Sequence, residues 1–245
     1  MKSLSVITVT YNAEATLERT LRSVGEQTYP PIEHILVDGG SKDGTLDLIR
    51  RYDNPRMRWV SELDNGLYDA MNKGAAMASG DYLCFLNAGD AFFSSDTVER
   101  MMSPTVQNTS PDILYGETAI VDDQGAFLHM RRLKAPGKLT WKSFKQGMLV
   151  CHQAFMVKRS LFEPYDLRYR FSADVDWCIR MMKKSTVIYN TRKTLINYLN
   201  EGMTTRNRKA SLRERYRIMA RHYGHASTLL HHIWFIIRAV IHPEK

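Results

Sequence analysis

Four short apolar runs, each followed by a turn and a helical pattern, fill most of the first ninety residues of the chain. They lie at residues 5–10, 32–37, 57–60 and 82–86. Between the first two, apolar side chains recur at helical spacing, as at Leu17, Leu21 and Val24. Strands that alternate with helices over short connections predict an α/β fold, with a mostly parallel, Rossmann-like sheet and helices on both faces. With 245 residues, of which 44% are hydrophobic, the chain is long enough for one large domain.

Polar residues follow three of these predicted strands at the point where each run ends. They are Thr10-Tyr11-Asn12, residues 38–43 and residues 87–90. In open α/β sheets, ligands bind in the crevice outside the carboxyl ends of the strands. We therefore expect the three polar segments to meet in one binding site.

The pattern changes after Ser94, where elements become less regular. We expect a strand at 113–115, a hairpin of 118–121 and 126–130, a short helix at 139–146, a strand at 154–157, a helix at 174–183, a strand at 187–189, and helices at 212–223 and 229–241. Neither an internal repeat nor a linker is visible. We divide the chain into a body, residues 1–200, and a C-terminal helical extension, residues 201–245.

The three cysteines, Cys84, Cys151 and Cys178, are odd in number and far apart. Because they form no C-x-x-C pair, they predict neither a zinc site nor a disulfide framework. We interpret them as reduced, buried thiols of a cytosolic protein.

Most of the net positive charge lies in the predicted extension. Residues 201–245 contain nine Lys and Arg against three Glu, which gives +6 of the net +8. This basic stretch precedes the apolar, Trp-containing segment 229–241, which is too short to span a bilayer. Two interpretations stay open: an anchor on an anionic membrane surface, or a packed final helix with a solvated basic neighbour. A nucleic-acid interface is disfavoured because the stretch carries no known binding motif.

The turn at residues 38–45 is rich in glycine and joins a predicted strand to a predicted helix. Its spacing matches neither a P-loop nor the G-x-G-x-x-G fingerprint, which disfavours a nicotinamide dehydrogenase. Asp38 at the strand end is suited to accept hydrogen bonds from a base or a ribose. Asp43 is better explained as a helix cap.

Two further segments carry acidic side chains. Asp90 offers a carboxylate for a divalent cation that would neutralise a departing diphosphate, and Asn87 can hydrogen-bond a ribose or phosphate; the alternative is a turn with a capping Asp. Asp174 and Asp176 both lie at a helix start, where either could be a general base or could only favour the helix dipole. Spacing does not distinguish these two aspartates.

Taken together, four segments resemble the family 2 glycosyltransferases of the GT-A fold. In the order and spacing of that family they are SVITVTYN (5–12), VDGGSKDGT (37–45), SELDNGLYDAMNKG (61–74) and GDYLCFLNAGD (80–90). Residues 151–153 and 172–176 extend the resemblance more loosely. Within the family, the chain is most similar to bacterial exopolysaccharide and O-antigen members of the colanic-acid type.

The resemblance implies a nucleotide-diphosphate sugar as donor, a UDP-sugar in preference to a GDP-sugar. Thr10, Tyr11 and Asn12 would line the nucleotide pocket. Asp38 would bind the base, and Asp64 would lie in the segment that closes over the nucleotide.

The resemblance also implies roles around the reacting sugar. Asp90 would bind the cation, Mg²⁺ or Mn²⁺, with Asn87 beside it. Asp174 would be the base of an inverting enzyme, which separates it from Asp176 by analogy. His152 would face the diphosphate or the acceptor, although a lone His is more often structural.

The chain departs from the family pattern at the expected cation site and beside the base. Asn87 stands at the first aspartate of the family's D-x-D region and Gly89 at its third position, so Asp90 is the only acid there. Ala173 replaces the Glu before the base. The Gln-x-x-Arg-Trp motif of processive synthases is absent, which favours single additions.

We therefore expect an inverting transferase that acts on a glycan or polyprenyl-diphosphate-linked acceptor, for exopolysaccharide or lipopolysaccharide synthesis, at the inner face of the cytoplasmic membrane. Two alternatives stay open. They are a nucleotidyltransferase, and a sugar-nucleotide-binding subunit with little catalysis.

Overall fold

Residues 1–200 and 208–241 are described by a computed structural model of the chain. The strands are β1 (Leu4–Thr10), β2 (Ile32–Asp38), β3 (Met57–Ser61), β4 (Tyr82–Phe85), β5 (Ala91–Phe92), β6 (Ile113–Val121), β7 (Phe127–Met130), β8 (Phe155–Lys158) and β9 (Ile188–Leu199). The α-helices are α1 (Leu17–Gly25), α2 (Thr45–Tyr52), α3 (Leu67–Met77), α4 (Thr97–Met101), α5 (Pro104–Thr109), α6 (Ala173–Lys184), α7 (Arg208–Tyr223) and α8 (His225–Ile241). Short 3₁₀ helices lie at Trp141–Gln146, His152–Ala154 and Arg159–Leu161.

In the described part of the chain, nine strands form one sheet. The order is β3-β2-β1-β4-β8-β6-β9-β5, with β7 paired to β6 off this path. Strands β1 to β4 are parallel, as predicted from their alternation with helices. Beyond β4 the sheet is mixed: β8 is antiparallel to both β4 and β6, and β9 is parallel to β6. The parallel pattern ends there because the later connections are no longer single-helix crossovers.

The register of the parallel strands aligns their carboxyl ends. Thr10 lies opposite Asp38, and Asp38 lies opposite Ser61, so these three polar residues form one row. Every residue of β1 is buried, as expected for the central strand of a parallel sheet. The polar segments that follow the strands therefore leave the sheet along the same edge.

Helices cover both faces of the parallel half of the sheet. Leu36 packs in a cluster with residues of α1 and α2, whereas its neighbours Ile35 and Val37 belong to the larger cluster that includes α3 and α6. This alternation follows the two-residue period of a strand. Helix α3 approaches closely at Gly74, where an added Cβ would lie 2.5 Å from Cγ2 of Ile7.

The later elements differ more from their predicted bounds. The predicted strands at 113–115 and 118–121 are one strand, β6, and the strand predicted at 187–189 extends through Leu199 in β9. Polar residues 190–193 interrupt the apolar pattern in β9, where Arg192 has a φ of 54° and the pairing with β6 changes register. Helices α4 and α5 and the short strand β5 had no prediction, because their apolar patterns are only a turn or two long.

Helices α7 and α8 form the part of the predicted extension that the structure describes. Its other residues, 201–207 with the basic Arg206 and 242–245, lie outside the described residues. Helix α7 packs on α6, with the Ser211 and Ser172 hydroxyls 3.1 Å apart. Helix α8 packs on α7 and leaves one apolar face exposed, formed by Leu229, Leu230, Ile233, Trp234 and Ile237. None of the described helices is both long and apolar enough to cross a membrane.

Candidate functional site

A cleft of about 830 Å³ opens at the carboxyl edge of the parallel strands. Its size is in the range of small-molecule sites, and its position is that of ligand sites in open α/β sheets. Eight of the nine predicted site residues line it: Thr10, Tyr11, Asn12, Asp64, Asn87, Asp90, His152 and Asp174. The structure thus brings together residues that are up to 164 positions apart in the chain, from Thr10 to Asp174.

The residues at the end of β1 form one wall of the cleft. The Thr10 hydroxyl is buried and has no hydrogen-bond partner among the described residues. The Tyr11 ring is 63% exposed, although it is large and mostly apolar. Asn12 adopts a left-handed φ of 47° and accepts a hydrogen bond from the Lys42 amide at 2.9 Å, which links the first two polar segments.

Asp64 reaches the same wall across Gly39. A Cβ added at Gly39 would lie 2.6 Å from Oδ2 of Asp64 and 3.4 Å from Cδ2 of Tyr11. Only a glycine leaves room for this approach. Asp64 also accepts a hydrogen bond from the Gly66 amide at 2.8 Å, which fixes the turn before α3.

Asp38 is the predicted site residue that the described cleft lining does not include. Its carboxylate is fully buried and accepts hydrogen bonds from the amides of Gly40 and Ser41 and from the hydroxyls of Ser41 and Ser61. These bonds hold the glycine-rich turn in shape. Contact of Asp38 with a base stays a prediction, and the geometry gives its carboxylate a different task.

The segment 87–90 is held by the α1 residue Thr20. The Thr20 hydroxyl accepts a hydrogen bond from the Gly89 amide at 2.9 Å and donates to the Asp90 carbonyl at 2.7 Å. Gly89 has a φ of 95°, and an added Cβ would lie 2.7 Å from the Leu199 side chain. Glycine at position 89 is therefore required by the backbone.

Asp90 is buried beneath this turn. Its two oxygens accept hydrogen bonds from the Leu199 amide at 3.0 Å and from the Gln153 side chain at 2.7 Å. Burial raises the pKa of Asp90 to about 7, although these bonds and the charge of Arg19 act in the opposite direction. Near neutral pH the Asp90 carboxyl is consequently divided between its charged and neutral forms.

The described residues contain no group of three His, Cys, Asp or Glu side chains that could enclose a metal ion. The cleft nevertheless offers two oxygen ligands. Asp90 retains free lone pairs, and the buried Asn87 Oδ1 has no partner among the described residues. Hard oxygen ligands of this kind fit Mg²⁺ or Mn²⁺ if phosphates and water complete the shell. The residues therefore fit a cation that arrives with its ligand.

The two aspartates at the start of α6 have different surroundings. Asp174 lines the cleft, and one of its oxygens accepts a hydrogen bond from the Tyr68 hydroxyl at 3.1 Å. Asp176 is fully buried and pairs with Arg180 at 2.7 Å and with His222 at 2.8 Å. Burial alone would raise the pKa of Asp176, but the bonds from His222 and Arg180 outweigh it and lower the pKa. Of the two, Asp174 is the one that a substrate in the cleft can reach.

His152 lies in an aromatic cluster at the base of the cleft. Its ring stacks on Phe85, meets Trp177 edge-on, and its Nε2 is 2.5 Å from the Tyr165 hydroxyl. Burial lowers the pKa of His152 to about 4, against the opposing effect of the Asp174 charge. His152 is therefore neutral at physiological pH. It is packed in this cluster and also lines the cleft, and its contact with a diphosphate or an acceptor stays a prediction.

Six more polar residues in the cleft lining had no predicted role: Thr16, Tyr68, Arg131, Gln153, Tyr198 and Arg215. Tyr68 and Gln153 stand within the segments 61–74 and 151–153 that carry the resemblance, and this was the available signal. Arg131 directly follows the predicted hairpin, and Arg215 lies in the predicted basic extension. No local pattern marks them, because the tertiary fold alone brings them to the cleft.

Helix α7 also supports α6 directly. The Glu214 carboxylate accepts hydrogen bonds from the amides of Arg170, Phe171 and Ser172 at 2.9, 2.8 and 3.0 Å. These amides lie at the start of α6, where a helix has no internal acceptors to offer and where negative charge is favourable. The predicted extension thus contributes both to the cleft and to the helix that carries Asp174.

Residues 5–165 match the family model described as "Glycosyl transferase family 2". The chain is 34% identical over 207 residues to a PGL/p-HBAD biosynthesis glycosyltransferase of Mycobacterium tuberculosis, a match that covers 80% of this chain and 76% of the relative. It is 27% identical over 217 residues to the putative teichuronic acid biosynthesis glycosyltransferase TuaG of Bacillus subtilis, covering 85% of this chain and 84% of the relative.

Solved structures of the same fold carry nucleotides. The S. aureus TarS fragment 1–349 in complex with UDP superposes with a TM-score of 0.71 at 16% identity, covering 98% of this chain and 72% of that one. The mannosyltransferase PcManGT of Pyrobaculum calidifontis, in complex with GDP-Man and Mn²⁺, gives 0.66 at 16% identity, covering 90% of this chain and 64% of that one. At such identities the likeness shows the fold alone.

Proposed function

This chain belongs to glycosyltransferase family 2 and is a glycosyltransferase, and we propose that it transfers a sugar from a nucleotide-diphosphate donor to a hydroxyl of a lipid-linked glycan, with inversion at the anomeric carbon. One observation carries the proposal. Of the five buried polar atoms without partners in the described residues, three belong to cleft residues: Thr10 Oγ1, Asn87 Oδ1 and Arg215 Nε. Unpaired buried polar groups are costly, so their concentration here supports a polar ligand that pairs with them.

The nucleotide would bind along the wall formed by Thr10, Tyr11, Asn12 and Asp64. The buried Thr10 hydroxyl and the exposed Tyr11 ring supply a hydrogen bond and a stacking surface. UDP in TarS and GDP-Man in PcManGT are bound by neighbours of the same fold, which supports a nucleotide sugar here. We favour a UDP-sugar, on the resemblance described above.

Asp174 would act as the general base. In a direct displacement, an acceptor oxygen forms a bond to the anomeric carbon while the bond from that carbon to the diphosphate oxygen breaks. The hydroxyl proton passes to the Asp174 carboxylate, and the bonding electron pair leaves with the nucleoside diphosphate. Asp174 supports this role because it lines the cleft and is oriented by the Tyr68 hydroxyl.

Asp90 and Asn87 would hold a divalent cation together with the donor's own phosphates. Such a cation stabilises the negative charge that develops on the departing diphosphate. The PcManGT complex with Mn²⁺ supports cation use within this fold. We expect chelation to lower transfer and added Mg²⁺ or Mn²⁺ to restore it; transfer that is unchanged by chelation would remove the cation from this proposal.

The acceptor would be a glycan for the cell surface, carried on a polyprenyl diphosphate. The names of the relatives, in PGL/p-HBAD and teichuronic acid biosynthesis, support this class. A lipid-linked acceptor favours an enzyme at the inner face of the cytoplasmic membrane. The exposed apolar face of α8 and the exposed basic residues Lys209 and Arg213 of α7 support peripheral contact with an anionic lipid surface.

A donor panel tests the reaction. The purified full chain is given UDP- and GDP-sugars with synthetic polyprenyl-diphosphate sugars, and nucleoside diphosphate release is measured. Asp174→Asn should lower kcat by about 10²- to 10⁴-fold, the usual contribution of a general base. Asp176→Asn is the matched control on the same helix: it should lower the melting temperature and keep kcat within a few-fold.

Three results would contradict the proposal. Full activity of Asp174→Asn would refute the base. Release of pyrophosphate from a nucleoside triphosphate and a sugar phosphate would indicate a nucleotidyltransferase. Tight nucleotide-sugar binding without release, across all donors and acceptors tried, would indicate a binding subunit.

A further inference from the structure

Arg215 is a cation in the cleft that the described protein does not neutralise. It lies on α7 directly after Glu214, and its side chain is partly buried. Its Nε is buried without a hydrogen-bond acceptor, and no carboxylate of the described residues forms an ion pair with it. A charged guanidinium whose Nε–H is buried without an acceptor is unfavourable unless a ligand pairs with it. The cleft is therefore prepared for a negative group at this position.

Arg131, the other arginine of the cleft lining, provides a contrast. Its guanidinium donates hydrogen bonds to the carbonyls of Leu133, Met148 and Leu149 at 3.0, 2.7 and 3.2 Å. These bonds tie the hairpin of β6 and β7 to the segment before β8. Arg131 is thus largely occupied by its own protein, whereas Arg215 has no such bond from the described residues.

Arg215 lies close to the proposed base. Its positive charge acts on the Tyr68 hydroxyl, where it opposes the rise in pKa caused by burial and by Asp174. The same hydroxyl donates to Asp174 at 3.1 Å. In an inverting displacement, the base and attacking hydroxyl lie on one side of the anomeric carbon and the departing diphosphate on the other. Arg215 is therefore on the side from which the acceptor enters.

We propose that Arg215 binds a phosphate of the acceptor, close to the hydroxyl that reacts. The inference rests on the proposed function and names the acceptor's chemistry: an anionic, polyprenyl-diphosphate-linked sugar. Arg215 faces the cleft from α7, and the next helix, α8, exposes the apolar face of Leu229, Leu230, Ile233, Trp234 and Ile237. One helical hairpin thus offers a cation for the diphosphate and an apolar surface for the lipid that bears it.

Binding measurements on the full chain separate an acceptor phosphate from the donor diphosphate. Calorimetry first measures the affinity for UDP and GDP. The better-bound nucleotide is then kept saturating, so that the donor phosphate site is filled, while geranyl diphosphate is titrated. Inorganic pyrophosphate, titrated in the same way, reports the anion without the lipid.

Wild-type protein should bind geranyl diphosphate in the presence of saturating nucleotide. Arg215→Gln should weaken that binding by about tenfold or more, as expected for a charge-assisted hydrogen bond, and keep nucleotide affinity within about twofold. Arg215→Lys should recover part of the loss, since it keeps the charge and lacks the planar fork. Arg50→Gln, which removes an exposed charge on α2, should change neither affinity.

Two results would overturn the inference. One is a wild-type chain that binds nucleotide and no second anion. The other is an Arg215→Gln variant that loses nucleotide affinity at least tenfold while geranyl diphosphate binding is unchanged, which would assign Arg215 to the donor. A wild-type chain that binds no nucleotide would instead refute the proposed function itself. Circular dichroism checks each variant's fold, and if Arg215→Gln does not fold, Arg215→Lys provides the comparison.

Discussion

Two threonines of the sheet each have a buried hydroxyl without a partner in the described chain, but they differ in their surroundings. The hydroxyls of Thr10 in β1 and Thr118 in β6 are both buried without a partner among the described residues. Each is a cost to the folded state that valine, which has nearly the same shape, would remove. Of the two, only Thr10 lines the cleft, so only the Thr10 hydroxyl is placed to form a hydrogen bond with a ligand.

We expect Thr10→Val and Thr118→Val each to raise the free energy of unfolding by about 1 kcal/mol, because each removes an unpaired buried hydroxyl. Thr10→Val should also weaken nucleotide binding by about 3- to 10-fold, the worth of one hydrogen bond. Urea unfolding and calorimetry measure the two quantities. If Thr118→Val weakened nucleotide binding as much as Thr10→Val, the loss could not be attributed to a contact in the cleft.

At the residue scale, the sequence predicted which segments meet, and less often what each side chain does. Asp174 and Asp176 have the same local pattern, and only the partners of Asp176, Arg180 and His222, separate them. The contact of Asp38 with a base stays a prediction, and the sequence did not indicate that neighbouring amides and hydroxyls would hold its carboxylate. Such differences depend on contacts between distant segments, which periodicity does not encode.

At the element scale, Glu33 ties the second strand to the turn before the fourth. Its carboxylate accepts hydrogen bonds from the Ser5 hydroxyl and from the amides of Ser79 and Gly80, and it pairs with Arg58. Burial alone would raise the pKa of Glu33, but these bonds outweigh it and lower the pKa to about 2 from 4.5. Glu33 thus helps to fasten the end of the sheet opposite the cleft.

This lowered pKa predicts a pH dependence of stability. Because the folded chain releases the Glu33 proton more readily than the unfolded chain, the stabilisation is complete above pH 4.5 and is lost as the pH falls from 4.5 towards 2. Glu33→Gln should therefore be less stable than wild type at pH 7, with the difference shrinking towards pH 2. Urea unfolding at several pH values measures this, and a constant difference between the two proteins would contradict it.

Elements were predictable where their pattern was long and their neighbours were local. The four strands β1 to β4 lie within one residue of their predicted bounds, since each apolar run is bounded by turn residues. For β9 only residues 187–189 were predicted, whereas the strand extends from Ile188 to Leu199. Its polar middle, residues 190–193, is held in place by β6, which is distant in sequence.

At the scale of the whole molecule, the sequence left open whether the last helix packs or binds a membrane. The structure describes a helix that does pack, on α7, and that still exposes five large apolar side chains along one face. A contiguous exposed apolar face next to basic residues is typical of an interfacial helix. The two interpretations are therefore compatible.

Leu230→Glu combined with Trp234→Glu should lower binding to vesicles of anionic lipid by about tenfold or more, because both side chains are exposed and would leave the acyl region. Leu128→Glu, at an exposed leucine of β7, is the control and should have little effect. Flotation with vesicles measures the bound fraction. Equal binding of all three proteins would mean that the face serves another purpose.

Residues 5–165 match the family model, whereas Asp174 and Arg215 lie beyond it. The wall proposed for the nucleotide comes from the first ninety residues. The proposed base and the proposed ligand of the acceptor phosphate, Asp174 and Arg215, come from the later chain. The two halves of the cleft can therefore change independently during evolution. A lineage could acquire a new acceptor by altering one helical hairpin while its supply of activated sugar stays the same. Such modularity would let related enzymes diversify the glycans of bacterial surfaces from a common set of nucleotide sugars.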